Sequence, residues 1–407
     1  MSFYKKTIKN IPLEHRRILL RADYNVPLDQ NGEIDNDFRL TQSLPTLRYL
    51  LRHDCAIVIC SHLGRPKGEV NEKYSLEPIA KRLTELLGQN VGFVPQCIGD
   101  LVHQKTKKLH KGQIMLLENL RFHKEEEEND EAFAKKLAKD SNSRYFVQDG
   151  FGVVHRAHAS TEAITHYLPS VAGLLIKNEY EHILGAMHDP KEPLVAVLGG
   201  AKISDKIGVI EQFIHIADTI IIGGAMANTF LKYRGYNVGS SIVEDGLDGT
   251  LRQIYDAAVA KVGVENLEKF MLLPTDVAVA NSIDVNAERA TEKVEEVQKE
   301  QYILDFGERS IATSVEVAKR AGTVIWNGTL GYAEFSQFAH GSARLAMALA
   351  QNPQITSVIG GGDTADFVLN WDAQNGKSFT HVSTGGGASL ELMAGKKLPG
   401  VEALLNA

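Results

Sequence analysis

Short runs of Ile, Val and Leu recur along the chain, each followed by a longer stretch in which apolar positions return every three or four residues. In the first half the runs predict strands at 17–22 (RILLRA), 56–61 (AIVICS), 113–118 (QIMLLE) and 143–148 (SRYFVQ). In the second half they predict strands at 194–198, 219–223, 269–274, 323–326, 356–360 and 380–384. These runs are continuous rather than alternating, the pattern of strands buried on both faces of a parallel sheet. Between them, ISDKIGVIEQFIHIA sets Ile203, Ile207, Ile210 and Ile214 on one helical face. Strands alternating with helices give an α/β chain, and each half has enough strands for its own doubly wound parallel sheet. Residues 169–193 read as a helix closed by Asp189-Pro190, placed as the boundary between two domains. In HKEEEENDEAFAKKLAK (123–139) the acids precede the lysines, which suits the dipole of a solvated helix and suggests no function.

At 407 residues the chain is long for one core, in line with two domains. A net charge of -7 argues against a nucleic-acid binder, so an anionic ligand must be met by a local cluster of positive charge. Cys55, Cys60 and Cys97 are sparse and lack metal-ligand spacing, as in a reduced protein. The opening residues MSFYKKTIKN carry no apolar stretch of signal-peptide type, and no apolar run of membrane-spanning length occurs. The expectation is a cytoplasmic protein with no membrane partner.

In open parallel sheets, ligands bind at the loops that follow the strand C-termini. In the first half these loops are RADYNVP, SHLGRP, ENLRFH and QDGFGVVHRAH, carrying Arg21, Asp23, Asn25, His62, Arg65, Arg121 and Arg156. Arg39 follows in DNDFRLT. Guanidinium forks at successive strand ends suit a small ligand with both a carboxylate and a phosphate. The second-half strand ends are LGGAK, IGGAMA, WNG, GGGDTA and STGGGAS. Glycines there let backbone amides approach an oxyanion, and the helices that follow add their N-terminal N–H groups. Five such turns point to a phosphate-rich ligand, most simply a nucleotide.

GGGDTA (360–365) fits a dinucleotide fingerprint, but the next strand ends in HVST without the carboxylate that would hold a ribose, which disfavours a nicotinamide oxidoreductase. Asp363 makes better sense beside Mg²⁺, typically held by one or two carboxylates and phosphate oxygens. DFG at 305–307 lacks the H-R-D loop of protein kinases, and no complete P-loop is present. An arginine-lined site on one domain and a magnesium–nucleotide site on the other suggest phosphoryl transfer with domain closure. A carboxylate acceptor is already ionised at neutral pH, so no general base is required.

The segments RADYNVPLD, SHLGRPKGE, LLENLRFH, FGVVHRAHAS, LGGAKISDK, IWNG, GGGDTA and HVSTGGGASLELMAG with KLPG resemble, in order and along essentially the whole chain, the signature segments of phosphoglycerate kinases. The resemblance implies two α/β domains: 1–172 binding 3-phosphoglycerate and 189–392 binding Mg–ATP or Mg–ADP. It also implies a helix at 173–188 as hinge, a return of 393–407 to the first domain, and a monomer. The reaction implied is reversible transfer of the terminal phosphoryl group of ATP to the carboxylate of 3-phosphoglycerate, giving 1,3-bisphosphoglycerate. By motif, Asp23, Asn25, Arg39, His62, Leu63, Gly64, Arg65, Arg121 and Arg156 match the phosphoglycerate site, Arg39 meeting the reacting carboxylate. Lys206 matches the lysine that holds the nucleotide phosphates, and Lys202 the one that meets the phosphoryl group in flight. Asp363 matches the magnesium ligand, Thr364 a phosphate contact and Glu334 the ribose acid. Gly224, Gly307, Asn327, Gly328, Leu330, Gly361 and Gly362 fall in the nucleotide-binding segments, and Gly385, Gly386 and Gly387 in the loop that stabilises the transferring group.

The departures from the family pattern gather around the nucleoside. Thr329 replaces a proline, Ala333 a phenylalanine, Ala225 a glycine and Asn228 a phenylalanine, while QDGFG stands for NDAFG with Asp149 kept. They read either as compensated drift or as an altered base pocket with a changed preference between ATP and GTP. A non-catalytic sensor on the same scaffold is the alternative function, against which the retained Arg39, Lys202, Lys206 and Asp363 speak.

Overall fold

In the computed structural model, which describes residues 3–407, the first-half runs form a sheet of six strands. They are β1 (Arg17–Arg21), β2 (Ala56–Cys60), β3 (Val91–Val94), β4 (Ile114–Leu117), β5 (Tyr145–Gln148) and β6 (Ser170–Ala172). The order is β3-β4-β2-β1-β5-β6, and every pairing is parallel. The continuous apolar runs have a simple cause. Along β1, Ile18 and Leu20 enter one core cluster and Leu19 the other; along β2, Ile57 and Ile59 enter the first and Val58 the second. Both faces of the sheet are covered, so neither register of side chains can be polar.

The second-half runs form an equivalent sheet from β7 (Leu194–Leu198), β8 (Thr219–Ile222) and β9 (Met271–Leu272), joined by strands later in the chain. Between these come β10 (Asp276–Ala280), β11 (Ala290–Lys293) and β12 (Tyr302–Phe306), which make a separate antiparallel sheet in the order β11-β10-β12. The remaining strands are β13 (Thr323–Asn327), β14 (Thr356–Gly360) and β15 (His381–Val382). The parallel sheet reads β15-β14-β13-β7-β8-β9, so the chain winds one way from β7 and back the other way from β13. That reversal opens a crevice between the ends of β7 and β13.

The chain divides into two compact units: residues up to Glu181 with Lys397–Ala407, and His182–Lys396. The division falls inside a helix, Leu174–His188. Its start is pinned within the first unit, where Leu174 N–H donates to Thr46 Oγ1 at 2.9 Å and Leu175 N–H to the buried Asp149 Oδ1 at 2.9 Å. In the same unit the returning segment is stitched to the start of the chain. Lys6 N–H donates to Leu405 O at 2.7 Å, Leu405 N–H to Ser170 O at 3.0 Å, and Lys5 Nζ to Glu402 O at 2.7 Å.

Four expectations need correction. The antiparallel sheet, β3 and β6 were not expected, and 169–193 begins with a strand rather than a helix. The helix expected from Ile203 starts at Ile207, with Lys206 as its N-cap, so Lys202 and Lys206 lie in the preceding turn rather than on one helix face. Of the strand expected at 269–274, only Met271–Leu272 forms, directly after the helical turn Leu267–Phe270. The acidic run is two helices, Lys124–Glu127 and Glu131–Asp140, and Glu126 is 0% exposed instead of solvated.

Burial pushes the Asp149 carboxyl up to about 7, against the bonds it accepts. Between about pH 4 and pH 7 the folded state therefore holds a proton that the unfolded chain has lost, and this group's contribution to stability falls as pH rises. Asp149→Asn removes the ionisation. The variant is expected to gain on wild type by roughly 3 kcal/mol between pH 4.5 and 7.5 in urea unfolding; a pH-independent difference would refute the buried-proton reading.

Candidate active site

The first unit gathers its chemistry where β1, β2, β4 and β5 end. Asp23 is buried at the end of β1, and Arg39, in the first turn of the helix Phe38–Arg52, donates from Nη1 to Asp23 Oδ2 at 3.0 Å and to Asn25 O at 3.0 Å. Asn25 Oδ1 accepts the Gly64 N–H at 2.8 Å, and Gly64 O accepts from Arg121 Nη1 at 2.9 Å. One chain of hydrogen bonds thus ties the loops after β1, β2 and β4 to the helix that carries Arg39. Arg65 and Arg156 stand exposed beside it, the second donating through Nε to His155 at 3.2 Å. Leu63 is packed in the core, and its carbonyl accepts from Asn119 at 2.7 Å, so it braces the loop.

His62 is almost fully buried. Burial first, then the guanidinium groups of Arg21, Arg121 and Arg39, hold its imidazole well below the usual range, so it is neutral at physiological pH. Arg21 Nη2 lies 3.2 Å from His62 Nδ1. A guanidinium can only donate, so Nδ1 accepts and the remaining proton sits on Nε2. The neighbouring His158 is driven down to about 3 by burial first, then by Arg21, Arg121 and Arg156. The histidines of this site supply hydrogen bonds, and the arginines supply the charge.

Beneath the exposed arginines, Arg21, expected among the ligand-facing guanidinium groups, is instead buried and paired with Glu126, which the sequence did not single out. Arg21, 1% exposed, donates through Nε to Ser160 Oγ at 2.7 Å and faces Glu126 at 3.8 Å. Glu126 accepts from Ser160 Oγ at 2.6 Å and from Ser160 N–H at 3.0 Å. Glu126 is one of four consecutive glutamates, and composition alone cannot tell the buried one from its solvated neighbours.

In the second unit the crevice at β7 and β13 is closed by backbone contact. A Cβ on Gly199 would lie 2.0 Å from Thr329 O, and one on Gly328 would lie 2.2 Å from Gly199 C, so only glycine fits at either position. The loops are then knitted by Gly199 N–H to Asn327 O at 3.0 Å, Gly224 N–H to Leu330 O at 2.8 Å and Gly328 N–H to Thr364 Oγ1 at 2.6 Å. Thr364 is fully buried, and its hydroxyl serves this brace.

Two helix N-termini meet here: Gly362–Trp371, capped by Gly361, and Gly386–Met393, capped by Gly385. Ser389 Oγ accepts from Gly361 N–H at 3.3 Å and donates to Gly386 O at 2.9 Å. Their free amides form an anion cradle, with Gly387 in the first turn of the second helix. Lys206 Nζ donates to Asn327 Oδ1. Burial lowers its ammonium to about 8 despite Asp363 and Asp205 nearby. Lys202 is exposed, in a loop fixed by Glu244, whose Oε2 accepts the Ile203 and Ser204 amides at 2.9 and 3.1 Å.

Gly200, Gly224, Thr329, Leu330, Glu334 and Asp363 line one cleft of about 130 Å³ whose other walls include Asn228, Ile242, Val277, Ile303 and Asp305. Gly307 stands behind that wall, packed so closely on Asp276 that a Cβ would lie 2.4 Å from its carboxyl carbon. The antiparallel sheet missed from the sequence thus supplies part of the cleft.

The chain that carries these two sites is similar to known proteins along nearly its whole length. A model of the family described as "Phosphoglycerate kinase" matches residues 8–396. The chain belongs to the phosphoglycerate kinase family. Named phosphoglycerate kinases are similar along their whole length: that of Koribacter versatilis is 48% identical over 99% of both chains, and that of Pelotomaculum thermopropionicum 44% over 99% of both. Solved phosphoglycerate kinase structures from Coxiella burnetii and Pyrococcus horikoshii superpose with a TM-score of 0.83 each, at 35% and 31% identity over 98% of each chain. The family is one of kinases, so the chain is a phosphotransferase. No helix among the described residues is long and apolar enough to cross a membrane.

The buried Arg21–Glu126 pair has a measurable consequence. Removing one partner leaves the other charged and unpaired in the interior. Glu126→Ala is expected to cost ~3 kcal/mol in urea unfolding, and Glu126→Gln, which keeps an oxygen for Ser160, less. Equal and negligible losses would contradict the pairing.

Proposed function

We propose that the chain catalyses reversible, Mg²⁺-dependent transfer of the terminal phosphoryl group between ATP and 3-phosphoglycerate, forming ADP and 1,3-bisphosphoglycerate. Two complementary anion sites in one family member carry this reading: a guanidinium cluster around Asp23, Asn25, Arg39, His62, Gly64 and Arg121, and a glycine-and-lysine cradle around Gly200, Lys206, Gly361 and Gly385.

In this reading the first unit binds 3-phosphoglycerate. Arg39 uses Nη1 for Asp23 and Asn25, which orients the fork towards the reacting carboxylate. Arg65, Arg121 and Arg156 hold the phosphate, with His62 as a neutral donor. The acceptor carboxylate is already ionised, so the protein has no proton to remove; it aligns the reactants and offsets charge. In the second unit Lys206 grips the nucleotide phosphates, Glu334 the ribose, and Lys202 with the Gly385–Gly387 amides meets the phosphoryl group in transit.

The donor set suits magnesium arriving with the nucleotide. Asp363 exposes one carboxylate in the cleft, and no cluster of three or more metal-binding side chains occurs among the described residues. When bound, the ion supplies neutralisation of phosphate charge. Because the two sites belong to different units, transfer calls for closure, for which the helix Leu174–His188 is the proposed hinge. A monomer working in the cytoplasm completes the proposal.

The test is formation of nucleoside diphosphate from Mg–ATP with and without 3-phosphoglycerate, and of ATP in the reverse direction. Turnover should require 3-phosphoglycerate and fall by roughly 10²–10³-fold in Arg39→Ala, as for other groups that meet charge developing in a transition state. Binding of both ligands without turnover would leave a sensor in place of an enzyme. Lys206 adds a pH signature. Its ammonium is partly deprotonated above about pH 8 in the free protein, and bound phosphate raises it again. Nucleotide binding at pH 8.5 should therefore take up a fraction of a proton, and affinity should fall as pH rises. Calorimetry in buffers of different ionisation enthalpy reads this uptake, which Lys206→Met should abolish.

A further inference from the structure

Arg21 differs from the other arginines of the first unit in where its nitrogens go. It ends β1 almost without surface, so it has no face to offer a ligand. Each arm of its fork is already taken inside the protein. Nε donates to Ser160 Oγ at 2.7 Å, Nη1 to Ala22 O, and Nη2 lies 3.2 Å from His62 Nδ1. The Ser160 hydroxyl accepts from Arg21 and passes its own proton to Glu126 Oε1 at 2.6 Å, while Glu126 Oε2 accepts the Ser160 N–H at 3.0 Å. A line of contacts therefore runs from the buried Glu126 through Ser160 and Arg21 to His62. It ends at His62 Nε2, which is not sealed in without a partner as Nδ1 of His158 is.

Two groups compete for His62 Nδ1. Arg21 Nη2, at 3.2 Å, can only donate to it; Asp23 Oδ1, at 3.9 Å, could only accept from it. With Arg21 in place Nδ1 keeps its lone pair and Nε2 carries the proton. Without Arg21 the nearest partner is the Asp23 carboxylate, which draws a proton onto Nδ1 and leaves a neutral ring with a lone pair at Nε2. An acceptor would then face the anion that this site binds. We propose that Arg21 is a positioning residue: held by Glu126 and Ser160, it fixes His62 as a donor at Nε2. The proposal rests on the first unit being the 3-phosphoglycerate site. It also explains why a carboxylate is buried beneath a cluster that must attract anions, since Glu126 is spent on aiming Arg21.

The experiment joins spectroscopy to a mutant cycle. Long-range ¹H–¹⁵N spectra of wild type, with His62 assigned by comparison with His62→Gln, should show a neutral ring protonated at Nε2 at about pH 7.5. Arg21→Met combined with Glu126→Gln removes both charges, so neither is stranded in the interior. In that variant the Nδ1-protonated form should appear. KM for 3-phosphoglycerate should rise roughly tenfold to a hundredfold, the usual effect of losing a hydrogen bond to a charged group, with KM for Mg–ATP unchanged. In a His62→Ala background the same pair of substitutions should change KM several-fold less, because the group they act through is gone. Arg21→Lys, which keeps a charged donor, should retain the wild-type ring and most of the affinity. The wild-type spectra need no substitution, so they stand even where a variant fails to fold. A wild-type His62 protonated at Nδ1 would overturn the proposal, as would an equal rise in KM with and without His62, the mark of a merely structural role. If calorimetry shows no binding of 3-phosphoglycerate to wild type, the substrate reading fails, a result distinct from the state of the ring.

Discussion

The backbones at Gly199 and Gly328 touch, and the nucleotide half of the site is built outward from that contact. Any side chain at either position would overlap the opposite loop. With none present, the ends of β7 and β13 close on each other and their amides become cross-links: Gly199 to Asn327, Gly224 to Leu330, Gly328 to Thr364. Each cross-link fixes a different part. One holds the turn that leads to Lys206, one starts the helix bearing Asn228, and one ties the helix that presents Asp363. A rigid cradle follows from contacts made before any ligand arrives, and such pre-organisation is what charge stabilisation during transfer requires.

The first unit solves the opposite problem. It must hold several cations close together with no ligand bound. It does so by separating roles with depth. Arg21 is satisfied internally by Glu126 and Ser160, Arg39 by Asp23, and Arg121 by the Gly64 carbonyl, with Glu127 3.2 Å away. His62 and His158 give up their charge under burial and the surrounding guanidinium groups. The positive charge of the site thus rests on its arginines rather than on these two histidines.

Much of this was legible in the chain because it follows from short-range rules. Continuous apolar runs mark strands covered on both faces, and the alternate burial of Ile18, Leu19 and Leu20 in opposite clusters shows why. Strand-end arginines and glycine turns likewise carry their chemistry in their sequence position. What escaped depends on tertiary context. β11 is an exposed ATEK segment, and β3 and β6 are four and three residues long, too short to show a period. Glu126 hides in an acidic run. Asn228 was noticed as a departure, but the bond its amide donates to Ile242 O is visible only in the fold.

The stitching of residues 400–406 onto the first unit bears on biosynthesis. His182–Lys396 is one uninterrupted stretch and can complete its fold as soon as it leaves the ribosome. The first unit cannot, although its sheet is translated earlier. The Lys6 amide, the Ser170 carbonyl and the Val154 carbonyl receive their partners only from Leu405 and Gly400. A nascent chain interrupted anywhere in the second unit therefore carries an unsealed seam in the first. That seam closes only once residues 400–405 reach Lys6, Val154 and Ser170, so the unit translated first is sealed last.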